Sequence, residues 1–345
     1  MAYYATNRFN YWGQLGMLAA FSGGGLIIGG LASFIPLLGE IDLFQSKDTA
    51  ATLMDRILKP ENTNALRVSQ FLSTLFLFFL PPVLYAKVCH MQPFKHLGFS
   101  NGLAGGKGGV ETMLIQAGLV ILIMLASLPA VATLQELTEM LPWSKATLLQ
   151  FKTAEDAYNK QVAVIARMDD VWDYIISVFV IALLPAVFEE TLFRGGIQNL
   201  LSRWFKLPVF SIVLTAILFS AVHGSYLGFL SRFALGFVLG WMYYRTGNIW
   251  LNIIGHFFNN AMAVTSLYLS TKAGEKVDPS KMEEHFPLWV GLASIAAVVA
   301  LFILFDKVGK QTIDRPGEEV LIPGYNFSNN PFMNDSATKE PNNPQ

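Results

Sequence analysis

The chain has 345 residues, 53% of them hydrophobic and 14% charged, with a net charge of −1 and a mean hydropathy of +0.43. Soluble globular chains carry about 25% charged residues, so this composition belongs with membrane proteins. It leaves no basic surface for nucleic acid, and a single cysteine, Cys89, excludes an intrachain disulfide framework.

A bilayer core about 30 Å thick takes about 20 apolar residues per helix. Seven or eight segments meet that need, near 14–38, 69–86, 110–132, 171–190 and onward, 207–224, 226–244, 249–270 and 287–305. Backbone groups inside lipid must be satisfied within the segment, and no run alternates with a period of two, so helices are expected and strands are not. The first segment, Gln14–Leu38, is longer than a signal h-region and lacks a basic stretch before it, so it reads as a retained anchor. Trp12, Trp143, Trp172, Trp204, Trp241, Trp250 and Trp289 all fall near proposed helix ends or in loops, where amphipathic rings sit at headgroup level.

Gly25-Leu-Ile-Ile-Gly29 and Gly236-Phe-Val-Leu-Gly240 are GxxxG patterns that allow close helix approach. The long connection 133–170 includes a candidate surface helix over Ala146–Arg167, and beyond Asp306 the chain turns polar and is expected to be disordered. The expected architecture is an all-α polytopic membrane bundle of about eight transmembrane helices. Its parts are N-terminal helices and loops over 1–168, a catalytic core over 169–305 and a polar tail over 306–345. With eight spans the termini share one side. Arg203, Lys206, Arg245, Lys307 and Lys310 hug helix ends there, which favours both termini in the cytoplasm and a place in the plasma membrane.

Ionisable groups at membrane depth mark pathways or sites. Glu189 and Glu190 sit where an apolar helix continues, with Arg194 one turn on. Of five histidines, only His223 and His256 lie inside a proposed span, in Phe219-Ser-Ala-Val-His223 and His256-Phe-Phe-Asn-Asn260. Spacing of i,i+4 puts each pair on one helix face, with Asn259 near that face as well. At a 1.5 Å rise, Glu190 lies about 20 Å from a turn at Arg203–Leu207, His223 about 24 Å beyond that turn and His256 about 12 Å in from Asn248. Three helices thus bring two carboxylates, two imidazoles and an amide to intermediate depth.

Adjacent carboxylates in a low-dielectric cavity cannot both ionise cheaply, and a carboxylate poised near neutrality can take a proton from water. An imidazole beside it can hold that water, and a second imidazole with an amide can serve an oxyanion. A nucleophilic triad fits less well, because Cys89 is remote and Ser220 lies on another face from His223. Glu189, His223 and His256 are also competent ligands for zinc or another divalent metal, although no HExxH or CxxC spacing demands one. The same polar groups could build a proton relay in a transporter or channel.

Glu189-Glu190-Thr-Leu-Phe-Arg194 matches an EExxxR motif, Phe219-Ser-Ala-Val-His223 matches FxxxH, and His256-Phe-Phe-Asn-Asn260 matches HxxxN. In these motifs, over about 170–270, the chain resembles the CPBP family of intramembrane proteases, which takes in type II CAAX prenyl endopeptidases and Abi-like bacteriocin-processing proteins. The resemblance implies that Glu189 and His223 activate water and that His256 and Asn260 stabilise the oxyanion, with Glu190 and Arg194 supporting them. It implies a membrane-associated peptide or protein substrate, and leaves a metal-dependent and a metal-free glutamate mechanism equally open. Some relatives with intact motifs serve bacteriocin immunity or act as membrane scaffolds. Substrate and oligomeric state are not written in these motifs.

Overall fold

The computed structural model of the protein describes residues 3–4, 9–38, 50–90, 92–99, 109–274, 286–309 and 316–317. Most of the tail expected to be disordered, and residues 39–49 between the first two expected spans, lie outside the described residues. The described residues form helices α1 (Tyr11–Phe34), α2 (Ala50–Ile57), α3 (Pro60–Cys89), α4 (Pro93–His96), α5 (Gly109–Glu139) and α6 (Lys145–Ile165). They continue with α7 (Val171–Phe205), α8 (Pro208–Ala221), α9 (Phe229–Thr246), α10 (Ile249–Lys272) and α11 (Leu288–Gly309). One departure from an all-helical chain is a two-residue parallel pairing of Tyr3–Tyr4 with Pro316–Gly317.

Of the eight expected spans, α1, α3, α5, α7 and α11 are long and apolar enough to cross a bilayer. The chain is an integral membrane protein. The other three helices fall short for different reasons. α8 has 14 residues, about 21 Å of helix against a core of about 30 Å. α9 and α10 carry Arg232, Asn252, His256, Asn259 and Asn260, which lower their hydropathy because these helices face protein as well as lipid. The outermost helices are α1 and α11, with Leu26, Ile27, Leu31, Leu292, Ile295 and Val299 exposed where hydrocarbon would lie.

α1 starts at Asn10, whose side chain accepts from Gly13 N, and it lies along α3. A Cβ on Gly25 would come within 2.1 Å of the Phe76 carbonyl oxygen, and one on Gly29 within 3.0 Å of Ser73 O. The first GxxxG pattern therefore joins two helices of this chain. α3 and α7 each contain a wide π turn, Leu75–Phe79 and Val178–Leu183, shortly before Pro81-Pro82 and Pro185. A proline ring and its missing N–H disrupt the α ladder, and the wider turn accommodates them without ending the helix.

α6 is the expected surface helix, started by Ser144, which accepts from Thr147 N. Its end is fastened by the buried Arg67 of α3, which donates to Ile165 O, Arg167 O and Ser177 Oγ and pairs with Asp173 at 2.9 Å. α7 runs unbroken past the acidic doublet and stops at Lys206, which takes left-handed φ 54°. α8 and α9 then pack as a pair, α10 lies along α7, and α5 packs against α9, α10 and α11.

Candidate active site

The acidic doublet sits at the end of an α-helical stretch of α7, Leu184–Glu190, and a second π stretch, Thr191–Gln198, follows it. Neighbouring residues of a helix point about 100° apart, and the two carboxylates separate accordingly. Glu190 faces Arg194, with Oε2 and Nε 3.1 Å apart and both side chains fully enclosed. The contact is off the hydrogen-bonding direction, so the attraction is chiefly Coulombic. Arg194 Nη2 donates to Gly236 O at 3.1 Å, and its guanidinium lies 4.9 Å from the Phe219 ring centroid. One turn further, Gln198 Nε2 donates to Gly240 O at 2.8 Å.

The second GxxxG pattern thus lets two side chains of α7 reach carbonyls of α9 that bulkier residues would cover. A Cβ on Gly240 would come within 2.9 Å of Ile212 Cγ2 and 3.1 Å of Gln198 Oε1. Gln198 was absent from the sequence expectations. Its signal was available: it follows Arg194 by four residues, the same interval that separates the two glycines.

His256 of α10 points its Nδ1 at Glu190 Oε1, 2.9 Å away. A carboxylate accepts, so Nδ1–H donates. The other nitrogen, Nε2, stands 3.9 Å from Glu189 Oε2. His223 Nε2 stands at the same 3.9 Å from the same oxygen. Glu189 Oε2 therefore lies between two imidazole nitrogens and, among the described residues, has no hydrogen-bond partner of its own.

His223 departs from the expectation that FxxxH lies wholly on a helix. α8 ends at Ala221, and His223 N bonds Ser220 O instead of continuing the i→i−4 ladder. Gly224, at φ 65°, turns the chain away. This frees the Phe219 carbonyl, one of the orphan acceptors of a helix C-terminus, and His223 Nδ1 donates to it at 2.7 Å. The i,i+4 relation survives as a cap, and it fixes the tautomer: with Nδ1 protonated, the neutral ring presents a bare Nε2 to Glu189. Phe219 also sits edge-on to His256, centroids 5.8 Å apart, and so walls the cluster. Ser220 donates to Phe229 O at 2.7 Å and takes no part.

Glu189, Glu190, Arg194, His223 and His256 are thus one contiguous constellation. Asn260 lies one turn beyond His256, its Oδ1 accepting from Asn259 Nδ2 at 3.4 Å. Among the described residues no hydrogen bond joins it to the other five. Glu189 and His223 keep side-chain exposures of 11% and 22%, whereas Glu190 and Arg194 have none. The accessible edge of the cluster is therefore the Glu189–His223 edge.

The donor set of Glu189, His223 and His256 has the chemistry of a zinc site, each Nδ1 being held by an oxygen. Its spacing is wider: tetrahedral ligands at about 2 Å from a zinc ion stand roughly 3.3 Å apart, against 3.9 Å for each carboxylate–imidazole separation here. Among the described residues no group of three or more His, Cys, Asp or Glu is disposed to hold a metal ion. As placed, the three groups stand too far apart for one tetrahedral metal ion.

Residues 171–262 match the family model described as type II CAAX prenyl endopeptidase Rce1-like. The matched segment runs from the first turn of α7 to just past Asn260. Over 109 residues the chain is 31% identical to YpbD of Bacillus subtilis (strain 168), a protein described as uncharacterized. That alignment takes in 30% of this chain and 50% of YpbD, so the chain spans about half the length of that relative. No solved structure matches the chain.

Proposed function

We propose that the protein is an intramembrane endopeptidase that hydrolyses a peptide bond with water activated by Glu189 and His223. The observation that carries this reading is the placement of Glu189 Oε2 at 3.9 Å from Nε2 of both His223 and His256. That gap is too long for a direct hydrogen bond and suits a water about 2.8 Å from each group. The water gives one hydrogen to Glu189 and one to the bare Nε2 of His223, which aims its lone pair at the scissile carbonyl carbon. As the C–O bond forms, Glu189 takes the proton, and it delivers that proton to the amide nitrogen as the C–N bond breaks.

The carbonyl oxygen becomes an oxyanion that needs donors. With His256 Nδ1 already donating to Glu190, an Nε2–H is available only from the doubly protonated ring, and carboxylates flank that ring on both sides. Glu189, Glu190, Arg194 and a charged His256 then sum to zero. Asn260 Nδ2 is the second donor, one turn away on the same helix. The substrate class is a membrane-associated peptide or protein. Both termini lie in the cytoplasm and the protein in the plasma membrane, on the strength of the lysines and arginines near the ends of α7, α9 and α11.

In protein reconstituted in nanodiscs with a quenched peptide, Glu189→Gln is expected to lower kcat about 10²- to 10⁴-fold. Asn260→Ala is expected to lower it about 10²- to 10³-fold. Helix content should stay at the wild-type level in both, and the wild-type rate should survive a metal chelator. Undiminished cleavage by Glu189→Gln rejects the mechanism. A rate abolished by chelator and restored by zinc replaces it with a metal-bound water.

A further inference from the structure

α8 stops at Ala221, so His223 stands beyond the regular ladder of the helix that carries Phe219. The loop that follows, residues 222–228, includes Gly224 at φ 65°, where an added Cβ would meet nothing within 4 Å. Its support comes from α6. The buried Ser225 donates from Oγ to Glu155 Oε2 of α6 at 2.6 Å and accepts from Gly228 N at 3.0 Å. Phe151 of α6 stacks on Tyr226 with centroids 4.6 Å apart. The Tyr158 ring centroid of α6 lies 5.6 Å from the guanidinium of Arg232, in the first turn of α9.

Positions 151, 155 and 158 follow the i, i+4, i+7 spacing of a single helix face. That face of α6 is turned to the loop and to the start of α9. The end of α6 is seated on the helix that carries the acidic doublet: one guanidinium, that of Arg67, holds Ile165 O and Arg167 O together with Asp173 and Ser177 of α7. Both sides of the 3.9 Å gap between Glu189 and His223 are thus fastened to the same framework. With α6 in place the two side chains keep 11% and 22% exposure, so the contact braces this edge and leaves it open. Phe151, Glu155 and Tyr158 all precede the segment 171–262 that matches the family model.

A hydroxyl donating to a carboxylate settles at about 2.5–2.7 Å and holds about twice as strongly as a neutral pair, and the Ser225–Glu155 contact falls in that range. A gap that must seat one water tolerates little drift, since a misplacement of about 1 Å costs about 10²-fold in rate. We propose that Glu155 is a positioning residue: through Ser225 it holds the 222–228 loop so that His223 Nε2 stays one water's width from Glu189. This rests on the hydrolytic reading of the Glu189–His223 edge and deepens it, because it gives α6 a part in the reaction without contact to the substrate.

Full-length protein in nanodiscs is assayed with the quenched peptide, and NMR of nitrogen-labelled histidine is recorded in parallel, the His223 signal being identified by its loss in His223→Gln. Glu155→Ala and Ser225→Ala are each expected to lower kcat about 10- to 100-fold with KM little changed and helix content at the wild-type level. The double variant should be no slower than the slower single one. Glu155→Gln keeps an acceptor oxygen and should recover most of the rate. Asp156→Ala removes the neighbouring exposed carboxylate of α6 and should match the wild type. The His223 signal should shift or broaden in Glu155→Ala and Ser225→Ala and stay in place in Asp156→Ala. Losses that add in the double variant, a raised KM at unchanged kcat, or wild-type rates in both single variants overturn the assignment. A displaced His223 signal in protein whose wild type cleaves nothing keeps the brace and removes the hydrolysis. Cleavage lost in His223→Gln but intact in Glu155→Ala and Ser225→Ala does the reverse.

Discussion

Glu189 and Glu190 are chemically identical neighbours with different surroundings. Glu190 is enclosed and shares its two oxygens between Arg194 and His256, whereas Glu189 keeps an accessible edge between two imidazoles. Removing one member of a buried pair leaves an uncompensated charge, which costs about 3–5 kcal/mol. Arg194→Leu is therefore expected to lower the thermal stability of detergent-solubilised protein by about that amount. Glu190→Gln combined with Arg194→Leu should recover part of the loss. Additive losses in that cycle would show that the two side chains do not stabilise each other.

Helices approach one another in this molecule where glycine permits it. A Cβ on Gly25 would meet the Phe76 backbone oxygen at 2.1 Å, and backbone cannot rotate away as a side-chain tip can; a Cβ on Gly23 meets nothing within 4 Å. Gly25→Ala is expected to destabilise the protein by about 1–3 kcal/mol, and Gly23→Ala to be neutral or slightly stabilising. Melting curves of the two variants check the contrast, and equal melting temperatures would contradict the α1–α3 packing. At this scale the sequence was informative about where helices lie, because apolar runs and tryptophans mark their ends. It was uninformative about helix type. The wide turns before Pro81 and Pro185, and the one after Glu190, carry no hydrophobic period that separates them from α-helix. His223 was placed inside α8 by its apolar neighbours, although Gly224 was available to mark the helix end.

At the scale of the whole molecule, the three motifs were legible because ionisable residues in apolar helices are conspicuous, and i,i+4 spacing groups them by face. The carbonyl contacts of Arg194 and Gln198 were not, since they depend on how α9 presents Gly236 and Gly240 to α7. The proposed orientation is checked by fusing a reporter that is active only in the cytoplasm after Gln345; an inactive fusion, with a periplasm-active reporter working in its place, reverses it.

The length of α8 bears on how reactants are supplied. Starting beside Lys206, a helix of about 21 Å stops roughly 9 Å short of the far face of the hydrocarbon layer, and His223 stands at that truncated end, under α6. On the proposed hydrolysis, water arriving from that face has about 9 Å less helix to pass before it meets His223.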